Sequence, residues 1–120
     1  MNPLDEIFDA TNGARDYAGA YLDHVAAVLA RIDREAISEF VAILLDARER
    51  NARIFFMGNG GSAATASHFA NDIGIGTRTI DKPFRAMSLT DNAAVITAIS
   101  NDDGYDDIFV QQLKTHMEPG

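Results

Sequence analysis

Two side chains four residues apart, His68 and Asp72, have the types and spacing of a metal-binding or acid–base pair. Residues at positions i and i+4 of a helix lie one above the other, so an imidazole nitrogen and a carboxylate oxygen can reach a common point. Imidazole and carboxylate suit zinc and its first-row neighbours, but two ligands do not complete a site. The alternative is a hydrogen-bonded pair on a helix surface, and the spacing alone favours that alternative.

A glycine-rich segment, residues 58–62, comes directly before the helix that carries this pair. The apolar run 53–57 before it is short and rich in β-branched and aromatic residues, which is typical of a buried parallel strand. Ser62 then has the residue type of a helix N-cap. A strand, a glycine turn and a helix N-terminus predict a site for an anion or a polar sugar chain.

Other interpretations of this loop differ in what the loop would bind. A Walker A phosphate loop requires a lysine after its last glycine, and the first lysine of this chain is Lys82, so that motif is excluded. The spacing of Gly58, Gly60 and Ala63 fits the relaxed dinucleotide fingerprint, although the acidic Asp91 comes late for it. A nucleotide site and a tight turn without a ligand therefore stay open as lesser alternatives.

The hydrophobic periodicity predicts an alternation of helices and strands around the loop. Asp91 is placed to cap the helix after the second strand, and Gly74 and Gly76 are expected to end the helix of His68. The predicted elements are helices over 14–32 and 33–50, a strand over 53–57, a helix from 62, a strand over 84–89, a helix over 92–99, a turn over 101–104 and a last helix over 105–117.

Three ordered motifs resemble the sugar isomerase (SIS) domain of phosphoheptose isomerases. They are residues 58–64, 68–72 and 100–105. The resemblance begins near residue 15 and corresponds to roughly the N-terminal half of such an enzyme. It implies one SIS-like domain over 1–120, with leading helices at about 14–50, and a three-layer, flavodoxin-like α/β fold with a parallel sheet. Only two strand-like runs are present, so we expect this sheet to be incomplete and to need strands from further chain or another subunit.

The resemblance also implies a function, the isomerisation of the ketose sedoheptulose 7-phosphate to an aldose, a heptose 7-phosphate. The residue matching Asp72 is a glutamate in that family, where it serves as metal ligand and catalytic base, and the residue matching His68 is a ligand, commonly of zinc. The assembly implied is a homotetramer. The substrate-binding residues implied are Asn59, Gly60, Gly61, Ser62, Asp72, Asn101 and Asp102.

Two other classes of function remain open from the sequence. A non-catalytic SIS protein would use the same fold to bind a sugar phosphate or a protein partner, and a related isomerase would act on another phosphosugar. The family's second phosphate loop and remaining ligands match nothing up to residue 120, so we expect the isolated chain to be inactive. Without the resemblance, Asp102 would be assigned to a solvated turn.

The charge balance disfavours several partners. The 120 residues carry 18 acidic and 10 basic side chains, a net charge of −8, which disfavours nucleic acid and anionic membranes as partners. The absence of cysteine excludes thiol chemistry in this sequence. The sequence shows neither a signal-peptide pattern nor an apolar run near 18 residues, so we expect a cytoplasmic protein.

Overall fold

The computed structural model describes residues 2–118, which fall into two compact units, one ending at Glu39 and the other beginning at Phe40. The elements alternate much as the hydrophobic pattern predicts. They are α1 (Pro3–Ala10), α2 (Ala14–Ala30), α3 (Arg34–Glu49), β1 (Arg53–Phe56), α4 (Gly61–Asn71), a π-helical turn (Asp72–Gly76), β2 (Arg85–Ser88), α5 (Ala93–Asp102), a 3₁₀ turn (Tyr105–Asp107) and α6 (Val110–His116).

The first unit holds α1, α2 and the beginning of α3. Helix α1 was not predicted from the sequence, although its start has a clear local cause: the Asn2 side chain accepts a hydrogen bond from the Leu4 amide at 3.0 Å, and a proline follows it. The predicted helix over 14–32 is confirmed as α2. No residue of α2 is buried, and Leu22 and Leu29, seven residues apart, are 65% and 59% exposed.

The second unit is built on two parallel strands joined through α4. β1 and β2 pair in register from Arg53 opposite Arg85 to Phe56 opposite Ser88. This parallel pair with its helical connection is the α/β arrangement that the sequence predicts, although each strand is shorter than predicted. The small side chains of Ala66 and Ala70 are buried, which lets α4 lie close to the rest of the unit.

Two boundary predictions after β2 are wrong. Asn92, and not Asp91, caps α5, because its side chain accepts a hydrogen bond from the Val95 amide at 3.1 Å. The predicted turn over 101–104 begins late, since Asn101 and Asp102 still belong to the last turn of α5. These polar residues favour turns, but the hydrogen bonds of the preceding apolar helix extend through them.

Helix α6 is the last element in the described part of the second unit. The predicted last helix is divided into the 3₁₀ turn and α6. Leu89 and Ile108 are each 2% exposed. The buried Gln112 side chain donates hydrogen bonds to the carbonyl oxygens of Leu89, at 3.0 Å, and Ile108, at 2.7 Å. Among residues 2–118, no helix is long and apolar enough to span a membrane.

Candidate functional site

The glycine loop between β1 and α4 has a shape that only glycine permits at Gly58. A Cβ on Gly58 would lie 2.7 Å from the backbone carbonyl carbon and oxygen of Ser62, closer than real side chains come. Two residues later the chain turns with Gly60 at φ 55° and ψ −121°. The loop is therefore folded tightly against the first turn of α4.

The helix begins at Gly61, so the prediction that Ser62 is the N-cap is wrong. Gly60 occupies the cap position and supplies no side-chain hydrogen bond. The amides of Ser62 and Ala63 donate to the carbonyl oxygens of Asn59, at 3.0 Å, and Gly60, at 3.1 Å. Among residues 2–118 the amides of Gly60 and Gly61 have no such backbone partner, so they are the groups at this helix start that an anion would meet.

The structure brings the loop together with the motif at residues 100–105. The Tyr105 hydroxyl donates a hydrogen bond to Asn59 Oδ1 at 2.8 Å. Beside it in sequence, Asn101 Nδ2 donates to Asp102 Oδ1 at 2.8 Å, and both of these side chains are exposed. The sequence predicted sugar-binding roles for Asn59, Asn101 and Asp102, but it gave no sign that Tyr105 joins the two segments.

His68 and Asp72 meet on the exposed side of α4. Nδ1 of His68 lies 2.9 Å from Oδ2 of Asp72, and the two side chains are 76% and 55% exposed. At about 100° per residue, His68 lies about 160–200° around the helix axis from the buried Ala66 and Ala70. The two side chains share one helix face, as predicted, and that face points away from the buried side of α4.

The observed contact between these two side chains is a hydrogen bond. Two ligands at about 2.0–2.1 Å from a tetrahedral zinc lie about 3.3 Å apart, whereas Nδ1 of His68 and Oδ2 of Asp72 are 2.9 Å apart and bonded to each other. Within the described range 2–118, no group of three or more His, Cys, Asp or Glu side chains is placed to hold a metal. A metal ion bound by both side chains would replace this hydrogen bond and would need further ligands.

A hydroxyl cluster beyond the end of β2 was missed by the sequence analysis. The Ser67 hydroxyl donates to the Asp91 carboxylate and lies 3.1 Å from Thr90 Oγ1, which in turn lies 2.6 Å from Ser88 Oγ. Asp91 is thus bound to α4, which explains why it does not cap α5. The available signal was the polar run of residues 90–92, Thr-Asp-Asn, directly after the predicted strand over 84–89.

At the opposite edge of the sheet, an ion pair stabilises the segment that enters β2. Lys82 donates a hydrogen bond to Glu49, and this bond, followed by the positive charge of Lys82, lowers the pKa of the Glu49 carboxyl. Arg48 Nε donates to the Lys82 carbonyl oxygen at 2.7 Å, and its guanidinium lies 5.2 Å from the Phe84 ring centroid. The pair lies before the first residues of β1 and β2, away from the glycine loop that follows β1.

Comparison with known proteins assigns the fold family. The SIS domain family model matches residues 20–118 of this chain. The chain belongs to the SIS domain family. This SIS-domain chain also resembles a solved phosphoheptose isomerase from Neisseria gonorrhoeae, with a TM-score of 0.68 and 29% identity over 82% of this chain and 52% of that one.

Curated relatives of the SIS-domain chain are named phosphoheptose isomerase. The protein from Rhodospirillum rubrum is 36% identical over 85 residues, which cover 71% of this chain and 45% of the relative. The protein from Geobacter sulfurreducens is 37% identical over 97 residues, covering 78% of this chain and 51% of the relative. The chain spans about half the length of the curated relatives that it matches.

Proposed function

We propose that the protein is a phosphosugar isomerase that converts sedoheptulose 7-phosphate to a heptose 7-phosphate. One observation carries the proposal: α4 begins at the glycine loop, and the His68–Asp72 pair, 2.9 Å apart, lies at the other end of this helix. At 1.5 Å per residue, His68 lies about 10 Å along the axis from Gly61. That distance is comparable to the length of an extended phosphorylated sugar, so one substrate could contact both groups.

The loop and the residues beside it would bind the sugar phosphate. Gly60 and Gly61 would donate their backbone N–H groups to its oxygens, and the side chains of Asn59, Asn101 and Asp102 offer further donors and acceptors. Ser62 exposes a hydroxyl in the first turn of α4. Because the chain has a net charge of −8, local N–H groups must hold the anion against the overall field.

Asp72 would act as the base in an aldose–ketose isomerisation. Its carboxylate would remove a proton from C1, beside the C2 carbonyl of the ketose, which gives an enediolate; transfer of the O1 proton to O2 and return of a proton at C2 then leave C1 as the aldehyde and C2 with a hydroxyl. An aspartate is one methylene shorter than the glutamate expected from the resemblance. Asp72 is also the first residue of the π-helical turn, a geometry found frequently at functional sites.

His68 and Asp72 would also contribute two ligands to a zinc ion. Bound zinc would polarise the oxygens on C1 and C2 and stabilise the negative charge of the enediolate. The side chains themselves hold the donor atoms on one helix face. The residue types and the resemblance support this assignment, and the remaining ligands would come from other parts of the protein.

The assembly implied by this function is a homo-oligomer, a tetramer by resemblance, in the cytoplasm. The exposed apolar side chains of α2 support an oligomer, because apolar patches of this kind usually mark protein contacts. A second copy of this chain would cover the apolar surface of α2 that is exposed to water in the single chain.

The test is an assay of the intact protein with sedoheptulose 7-phosphate, after chelation and after addition of zinc. We expect an aldose product in the presence of zinc and little after chelation. If the protein converts only a different ketose phosphate, the proposed substrate is wrong. If it binds sugar phosphates but converts none of them, it is a non-catalytic SIS protein. Either result contradicts the proposal.

A further inference from the structure

Tyr105 connects two of the motifs through a single hydrogen bond. Its hydroxyl donates to Asn59 Oδ1 at 2.8 Å, across 46 residues of sequence. The tyrosine is 54% exposed, so burial does not explain why an aromatic residue with a hydroxyl is placed there. Asn59, its partner, follows Gly58 in the glycine loop.

The two partners differ in how firmly the fold holds them. Tyr105 begins the 3₁₀ turn directly after Gly104, whose φ of 121° turns the chain out of α5. That turn leads to Ile108, which is 2% exposed and whose carbonyl oxygen accepts a hydrogen bond from Gln112 at 2.7 Å. Asn59 lies in an exposed loop between glycines. The backbone of Tyr105 is therefore held by the packed residues that follow it, whereas Asn59 lies in the loop.

The direction of this hydrogen bond determines what Asn59 offers to a ligand. A primary amide has an acceptor oxygen and a donor nitrogen. A hydroxyl that donates to Oδ1 orients the amide and leaves both N–H groups of Nδ2 for another acceptor. We infer that Tyr105 is a positioning residue that orients the Asn59 amide so that Nδ2 donates to an oxygen of the phosphosugar.

This inference rests on the proposed function only for the identity of the ligand. The hydrogen bond would restrict Asn59 before the ligand binds, so part of the ordering cost is removed from the binding step. One neutral hydrogen bond has a net effect of about 3- to 10-fold on an equilibrium. The effect should appear in phosphosugar affinity and disappear when Asn59 itself is removed.

A double-mutant cycle on the intact protein tests that dependence. Tyr105→Phe, which keeps the ring, should weaken sedoheptulose 7-phosphate binding about 3- to 10-fold by calorimetry and leave the melting temperature unchanged. In an Asn59→Ala background the same change should have no further effect, and Tyr17→Phe, in the other unit, is the matched control. Equal losses from Tyr105→Phe in both backgrounds would overturn the inference.

A second measurement separates this inference from the proposed function. NMR relaxation of the Asn59 side-chain amide, measured without ligand, should show a lower order parameter in Tyr105→Phe than in the unmodified protein. Equal order parameters would overturn the inference, whatever the activity. If the unmodified protein neither binds nor isomerises the sugar phosphate, the proposed function fails, and the relaxation result alone decides whether Tyr105 orients Asn59.

Discussion

His68 and Asp72 face each other across one turn of α4, with Nδ1 of the imidazole 2.9 Å from Oδ2 of the carboxylate. The second oxygen of Asp72 accepts a hydrogen bond from Asn71 Nδ2 at 3.3 Å. The helix changes to π geometry at Asp72, the residue proposed as the base. The pair is thus oriented by its own helix while both side chains remain accessible to a ligand.

Metal binding should depend on His68. We expect the intact protein to bind Co²⁺ as a spectroscopic substitute for zinc, and His68→Gln to lower its affinity at least about tenfold, because loss of a direct ligand costs no less than loss of the groups around it. Visible absorption during a Co²⁺ titration measures the effect. His24→Gln, on α2, is the control, and equal affinities for the unmodified protein and His68→Gln would contradict the assignment.

Gly58→Ala should lower stability while Gly61→Ala should not. The added Cβ at Gly58 would meet the Ser62 backbone at 2.7 Å, whereas nothing lies within 4 Å of a Cβ on Gly61. We expect a loss of about 1–3 kcal/mol for Gly58→Ala, the usual range for overpacking, and a change of no more than about 1 kcal/mol for Gly61→Ala. Urea unfolding provides both free energies. Similar values for the two variants would show that the loop adapts without strain.

These loop variants concern the part of the fold that the sequence predicted best. The run 53–57 and the glycines after it are local signals, since strand propensity and turn chemistry are set by neighbouring residues. The parallel pairing of β1 with β2 could also be predicted from the sequence, because parallel strands need a long connection and a helix lies between these two. The i, i+4 spacing likewise predicted that His68 and Asp72 share one helix face, and the structure places them so.

Long-range partners could not be read from the sequence. Asp91 and Asn92 both have the residue type of a cap, and the structure pairs Asn92 with Val95 and Asp91 with Ser67. Likewise, the tertiary fold brings Tyr105 to Asn59, and no pattern of sequence spacing indicates this contact. The sequence predicted that Gly74 and Gly76 end the helix, but the structure has a π-helical turn there. Glycine is compatible with both a helix end and a helical distortion, so its presence does not distinguish them.

The ion pair of Glu49 and Lys82 should make stability depend on acid pH. Because Lys82 lowers the pKa of Glu49 from an ordinary value of 4.5, the folded state gains stability above that value and loses it as pH falls through the lower, folded-state pKa. Lys82→Met should therefore be less stable than the unmodified protein at pH 7, and the difference should shrink at pH 3. Urea unfolding at both values measures it, with Glu49→Gln as the partner control. A difference independent of pH would exclude the pair as its cause.

The exposed leucines of α2 should contribute to self-association. Leu22→Asp places a charge on a side chain that is 65% exposed in the single chain, so we expect it to lower the mass of the assembly in light scattering. Ile80→Asp, at a loop residue that is 88% exposed, is the matched control and should leave that mass unchanged. A monomeric unmodified protein, or a Leu22→Asp protein of unchanged mass, would exclude this face as the contact.

The role of Asp72 as the base is tested most directly by the turnover number of Asp72→Asn. The amide keeps the shape and one oxygen but cannot accept the substrate proton, so we expect kcat for sedoheptulose 7-phosphate to fall by about 10²- to 10⁴-fold. Both proteins are measured with zinc bound, because Asp72 is also a proposed ligand; phosphosugar affinity should then change much less, and Asp81→Asn, an exposed carboxyl in a loop, is the control. An intact Asp72→Asn protein with the kcat of the unmodified protein would contradict the account.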